Sequence, residues 1–176
     1  MKIVLQFSAG ASVLDRAIRW ITWSDYNHVD GVVAIEGYGD YSETEVKLLG
    51  ALPRGVCYHA PCKRYLRLDY RVAELPSGQG AGIIRFAKRQ IGKPYDWLGL
   101  VGILLRCRRL HARNHSAWWC DRLWAEAFRL NGYALVDAPS WKLSPEDLLR
   151  SERLREATAI ETRMLKNWLQ IKREEP

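Results

Sequence analysis

Apolar and polar positions alternate between two periods along this chain. Residues 1–7, Met1-Lys2-Ile3-Val4-Leu5-Gln6-Phe7, read as a first strand. Residues 12–23 predict a helix, with Val13, Leu14, Ala17, Ile18 and Ile21 at helical spacing. Ser12 can cap it, and Asp15 three residues on completes a capping-box pattern. Asp25-Tyr26-Asn27 breaks that helix, a valine-rich strand follows over 28–35, and Gly37-Tyr38-Gly39-Asp40 turns the chain. Residues 46–52, 55–59 and 64–72 read as further strands, and 78–82 as a loop. Residues 81–91 predict an amphipathic helix stopped by Gly92-Lys93-Pro94. Another helix spans 118–130, with Cys120, Leu123, Trp124, Ala127 and Phe128 on one face. Ser144-Pro145-Glu146-Asp147 opens a short helix, and 157–172 a last one. A helix, then strands, then helices is an α+β pattern.

The length of 176 residues suits one domain with a sizeable core, read as 1–156 with a C-terminal helical tail over 157–176. Apolar content of 48% and charged content of 27% are those of a soluble globular protein. The apolar run 98–105 falls short of the roughly 20 residues that span a bilayer. The N-terminus turns polar too soon for a signal peptide, so a cytoplasmic location is expected. The four cysteines are then expected to be reduced thiols.

The net charge of +7 is uneven. Arg106, Arg108, Arg109 and Arg113 lie in a stretch without acids, which reads either as a solvated loop or as a patch facing an anionic substrate group or partner. No basic-aromatic module marks a nucleic-acid binder. Cys57-x-His59-x-x-Cys62 offers zinc ligand types, as does His111-x-x-x-His115 with Cys107 and Cys120. Both lack the paired C-x-x-C spacing of structural zinc, and no metal or cofactor is expected.

Cys120 falls in the first turn of a predicted helix, where the helix dipole favours a thiolate and the backbone N–H can donate to an oxyanion. It can equally be a small core residue on an apolar face. His28, at the head of a strand, is one of four histidines that could serve as its base, with His59, His111 and His115.

Four segments carry a resemblance. Asp25-Tyr26-Asn27-His28-Val29, after a helix with Arg19-Trp20, resembles the S-x-x-S-H-V step of the YiiX/YebB-like permuted NlpC hydrolases, relatives of papain and lecithin retinol acyltransferase. Gly92-Lys93-Pro94-Tyr95-Asp96-Trp97 is similar to their G-x-P-Y-D-W turn. Trp119-Cys120-Asp121-Arg122-Leu123 resembles their F-C-S-E-L nucleophile helix, and Ser144-Pro145-Glu146-Asp147-Leu148 their S-P-x-D-L tail. The likeness runs from about residue 8 to 150. It implies a circularly permuted papain-like fold, an antiparallel sheet against the nucleophile helix, Cys120 as nucleophile, His28 as base and Tyr95 beside the site.

Two departures stand out. Asp121-Arg122 replaces the family's Ser-Glu. At the position on the next strand where the family orients its histidine, the register puts Gly50 or Ala51, leaving Glu45, a backbone carbonyl or water as third member. The expected activity is thiol-dependent hydrolysis of a peptide-type amide, as in cell-wall peptides, or of a lipid ester. A domain of this fold that only binds, for example in a phage tail or toxin system, is the non-enzymatic alternative.

Overall fold

A computed structural model describes residues 1–36, 44–61, 65–76, 78–104 and 116–169 of the chain. Its strands are β1 (Lys2–Ala9), β2 (His28–Glu36), β3 (Thr44–Leu52), β4 (Gly55–His59), β5 (Arg67–Glu74) and β6 (Arg155–Glu156). They form one antiparallel sheet in the order β4-β3-β2-β1-β5-β6. β1 lies between β2 and β5, and Gln6 is therefore as buried as its apolar neighbours. The two-residue β6 had no signal in the sequence.

The period of two divides the sheet into two faces. Leu5, Phe7, Val29, Val33, Leu49 and Ala51 point into the main core. Val4, Val32, Leu48 and Tyr70 point the other way and pack with Leu165 and Leu169. The latter two follow from α6 (Ala159–Trp168), which Thr158 and Glu161 open with a capping box. The segment read as a C-terminal tail thus closes a second apolar cluster, and residues 170–176 lie outside the described part.

α1 (Val13–Thr22) has the expected Ser12–Asp15 capping box. α2 (Gln79–Lys88) starts inside the stretch read as a loop. The glycines there serve packing: a Cβ on Gly80 would stand 2.5 Å from Met1 Sδ, and one on Gly82 2.2 Å from Asn131 Oδ1. The apolar run after Asp96 forms α3 (Trp97–Leu104). α5 (Pro145–Leu149) carries the predicted cap at Ser144. No helix among the described residues is long and apolar enough to cross a membrane.

α4 (Cys120–Leu130) is the central helix, and every residue from Cys120 to Phe128 is buried. Its Trp124 crosses β2 at Gly31, where a Cβ would stand 2.0 Å from the indole ring. The Trp124 Nε1–H donates to the Leu49 carbonyl at 3.2 Å. A glycine in β2 and a buried hydrogen bond to β3 therefore fix α4 on the sheet. Its first residue, Cys120, lies beside the backbone at the head of β2.

Candidate active site

The segment that delivers His28 is tied down by Asn27. The Asn27 backbone N–H donates to the Ser8 carbonyl at 3.1 Å. Its Oδ1 accepts from Gly10 N–H at 2.9 Å, and its Nδ2 donates to Asp15 Oδ1 at 2.7 Å. The capping acid of α1 therefore also holds the residue before His28.

The Cys120 side is built from the Gly92–Trp97 motif. Trp118 N–H donates to the Pro94 carbonyl at 3.1 Å, and Asp96 N–H to the Trp118 carbonyl at 2.9 Å, a short parallel bridge between Tyr95 and Trp118. Asp96 accepts from Gly99 N–H at 2.8 Å and meets Arg122 Nη1 at 3.2 Å, both side chains 4% exposed. The Arg122 guanidinium also stacks on Trp118 and Trp119 at 5.1 and 5.2 Å. The unusual Arg122 is thus a structural clasp between the turn and the helix.

The Cys120 thiol and the His28 imidazole lie close enough to act on each other's charge. Cys120 Sγ also faces the Asn27 carbonyl at 3.9 Å and Asp121 Oδ1 at 3.5 Å. His28 Nε2 lies 2.8 Å from Asp30 Oδ1, which leaves Nδ1 as the ring nitrogen for the thiol. Asp30 is two residues along the same strand and on the same face. A third group therefore orients the histidine, and it comes from β2.

The reason is Gly50. A Cβ there would stand 1.8 Å from Asp30 Oδ1 and 3.6 Å from His28 Nε2. The register places Gly50 opposite Asp30 and not opposite His28, and its missing side chain makes the space that Asp30 fills. Across the same gap, from the far side of β3, His59 Nε2 reaches Asp30 Oδ1 at 3.1 Å, while His59 Nδ1 donates to the Ala60 carbonyl at 2.9 Å. Asp30 and His59 are the residues that sequence reasoning missed as partners. A scan for a carboxylate at i+2 from His28 finds the first. The second needs the β3–β4 register, which pairs Leu48 with His59.

Burial opposes charging His28, but Asp30 and Cys120 outweigh it and hold the imidazole well above its ordinary value. Burial likewise opposes the Asp30 carboxylate, and His28 and His59 overcome it, holding the carboxyl well below the usual range. Burial pushes the Cys120 thiol up and Asp121 adds to this, against the pull of His28. Burial is therefore the largest influence on the thiol, and it works against the thiolate expected from helix position. The Asp121 carboxyl is pushed up to about 7, chiefly by burial. Burial also raises the Tyr95 hydroxyl, with Cys120 the next contributor.

The structure does not bring Glu45 to this group: it pairs with Ile35, roughly 23 Å along β2 from His28 at strand rise. Arg106, Arg108, Arg109 and Arg113, and with them Cys62, Cys107, His111 and His115, lie outside the described residues. A cavity of about 570 Å³ opens on the His28–Asp30–His59 side, with Asn27, Arg54 and Tyr65 also in its wall. Cys120 is 4% exposed. His28, Asp30 and His59 offer ligand atoms within 4.8 Å of one another, a donor group different from either cysteine-histidine pattern.

No protein-family model matches the sequence, and no curated protein matches it. The fold has a solved counterpart in the crystal structure of metalloprotein YiiX from Escherichia coli O157:H7, a DUF1105 protein. The TM-score is 0.61 at 16% sequence identity, over 88% of this chain and 94% of that one. The chain therefore has a YiiX-like α+β fold.

Proposed function

We propose that the chain is a thiol-dependent acyl hydrolase of permuted papain-like type, with Cys120 as nucleophile, His28 as base and Asp30 as the group that orients His28. The observation that supports this is the 2.8 Å contact of His28 with Asp30 beside the Cys120 thiol, which lies near His28 at a helix N-terminus. The histidine strand precedes the cysteine helix, as the permuted order requires.

His28 Nδ1 takes the thiol proton, and the sulfur attacks a carbonyl carbon. The oxygen that gains charge is met by the Cys120 backbone N–H in the first turn of α4. Collapse forms a thioester and expels the amine or alcohol, which leaves with the proton held by His28. Water, deprotonated by the same ring, then releases the acid and the thiol. Asp30 holds Nε2–H throughout and stabilises the imidazolium. Ser8, Asp15, Asn27, Arg54 and Tyr65 give the adjoining cavity polar groups suited to a peptide-type amide more than to a bare acyl chain.

YiiX is described as a metalloprotein, and the donor set of this chain fits a metal at His28, Asp30 and His59. An ion held there would supply Lewis-acid polarisation or a bound water of lowered pKa.

The test of the thiol reading is acyl transfer from an activated ester in the presence of EDTA. Wild type should form a hydroxylamine-sensitive adduct, and Cys120→Ser should not. An adduct that persists in Cys120→Ser would overturn the assignment.

A further inference from the structure

His59 presents an unbalanced contact. A backbone carbonyl can only accept, so His59 Nδ1 must carry a hydrogen to meet Ala60 O at 2.9 Å. In a neutral ring that leaves Nε2 bare, yet Nε2 faces the carboxylate oxygen Asp30 Oδ1 at 3.1 Å. Two lone pairs at that distance repel. Either a second proton or a metal ion must stand between them.

The surroundings favour the ion. His28 Nε2 converges on the same oxygen at 2.8 Å from the other side. Donors bound to one zinc at about 2.0–2.2 Å are roughly 3.3 Å apart in a tetrahedron, so spacings of 2.8 and 3.1 Å need only a small expansion. Ala60 O orients His59 in the way a carbonyl commonly orients a ligating imidazole. Gln6, opposite Asp30 in the β1–β2 register and on the same face, has a fully buried Oε1 without a partner. The cavity beyond leaves room for further ligands.

We propose that His28 Nε2, Asp30 and His59 Nε2 hold one divalent first-row transition-metal ion of the zinc class, with its open positions facing the cavity. Two imidazoles and one carboxylate select zinc, cobalt or iron over magnesium and calcium, which prefer all-oxygen sites. The inference deepens the metal reading above; an ion on His28 Nε2 takes the place of the proton that Asp30 holds there in the thiol mechanism, so the two readings describe the metal-loaded and the metal-free protein.

The experiment is titration of metal-stripped full-length protein with Zn²⁺ by calorimetry and with Co²⁺ by visible absorption. One equivalent should bind, with no thiolate-to-cobalt charge-transfer band, and a large excess of Mg²⁺ should not compete. His59→Gln, at a half-buried position, should weaken binding on the order of 100-fold while far-UV circular dichroism stays unchanged. Asp30→Asn should do the same. Cys57→Ser and Cys120→Ser should bind as wild type does. Absence of binding in wild type, unchanged affinity in His59→Gln, or a charge-transfer band that Cys57→Ser or Cys120→Ser removes would each overturn the site. Acylation of Cys120 measured in EDTA is unaffected by those outcomes, so the two readings fail separately.

Discussion

Asp30 and His59 touch across an intervening strand: Asp30 Oδ1 on β2 and His59 Nε2 on β4 are 3.1 Å apart above Gly50 of β3. One hydrogen-sized side chain on the middle strand permits the contact and also gives Asp30 room to orient His28.

Gly50→Ala tests that dependence. Its Cβ would overlap Asp30 Oδ1, so the carboxylate must move away from His28. The fold should lose about 1–3 kcal/mol by denaturant unfolding, and acylation of Cys120 should slow at least tenfold. Wild-type stability together with wild-type acylation would show that Asp30 does not need that space.

Asp121 should make stability depend on pH. Its folded pKa of about 7 lies above the unfolded value of 3.8, so the folded state holds the proton more tightly. The resulting stabilisation is full below pH 4 and is lost as pH rises through 7. Asp121→Asn should remove this component, flattening the pH 4–7 stability profile by on the order of a few kcal/mol. Parallel profiles for the two proteins would mean that Asp121 is charged throughout.

The resting dyad should be slow at low pH. With His28 raised and Cys120 raised, the pair must lose one proton before the thiol can react. Iodoacetamide modification of Cys120 should therefore climb on the alkaline side of neutrality. A rate already at its plateau near pH 6 would show a preformed ion pair in place of a neutral thiol.

Much of this was legible from local rules. Capping boxes at Ser12 and Ser144 and the apolar stripe of α4 are visible in one window of sequence, because helices satisfy their own ends. The four ordered motifs singled out Cys120 and His28, which lie near each other in the fold. The partners of His28 were harder. The resemblance directs attention to the next strand, where Gly50 or Ala51 was expected opposite His28; Gly50 stands opposite Asp30, and the carboxylate comes from i+2 on the same strand. His59 enters only through tertiary register. Arg122 stood out in the sequence only as a departure from the resembled Ser-Glu pattern, and its partner, Asp96, is 26 residues away.

Arg122→Met should be costly for that reason. It leaves Asp96 buried without its cation, a loss of about 3–5 kcal/mol. Arg122→Met with Asp96→Asn should recover part of the loss in urea unfolding. A double variant as unstable as the sum of the two single changes would rule out coupling between them.

The central claim, that Cys120 is a nucleophile served by His28, is tested most directly by mapping the product of p-nitrophenyl acetate treatment by mass spectrometry. This account predicts an acetyl group on Cys120, formed at least about 100-fold more slowly in His28→Gln, whose folding is checked by thermal melting. An acetyl group that appears on Cys57 first, or a His28→Gln protein that acylates Cys120 at the wild-type rate, would contradict it.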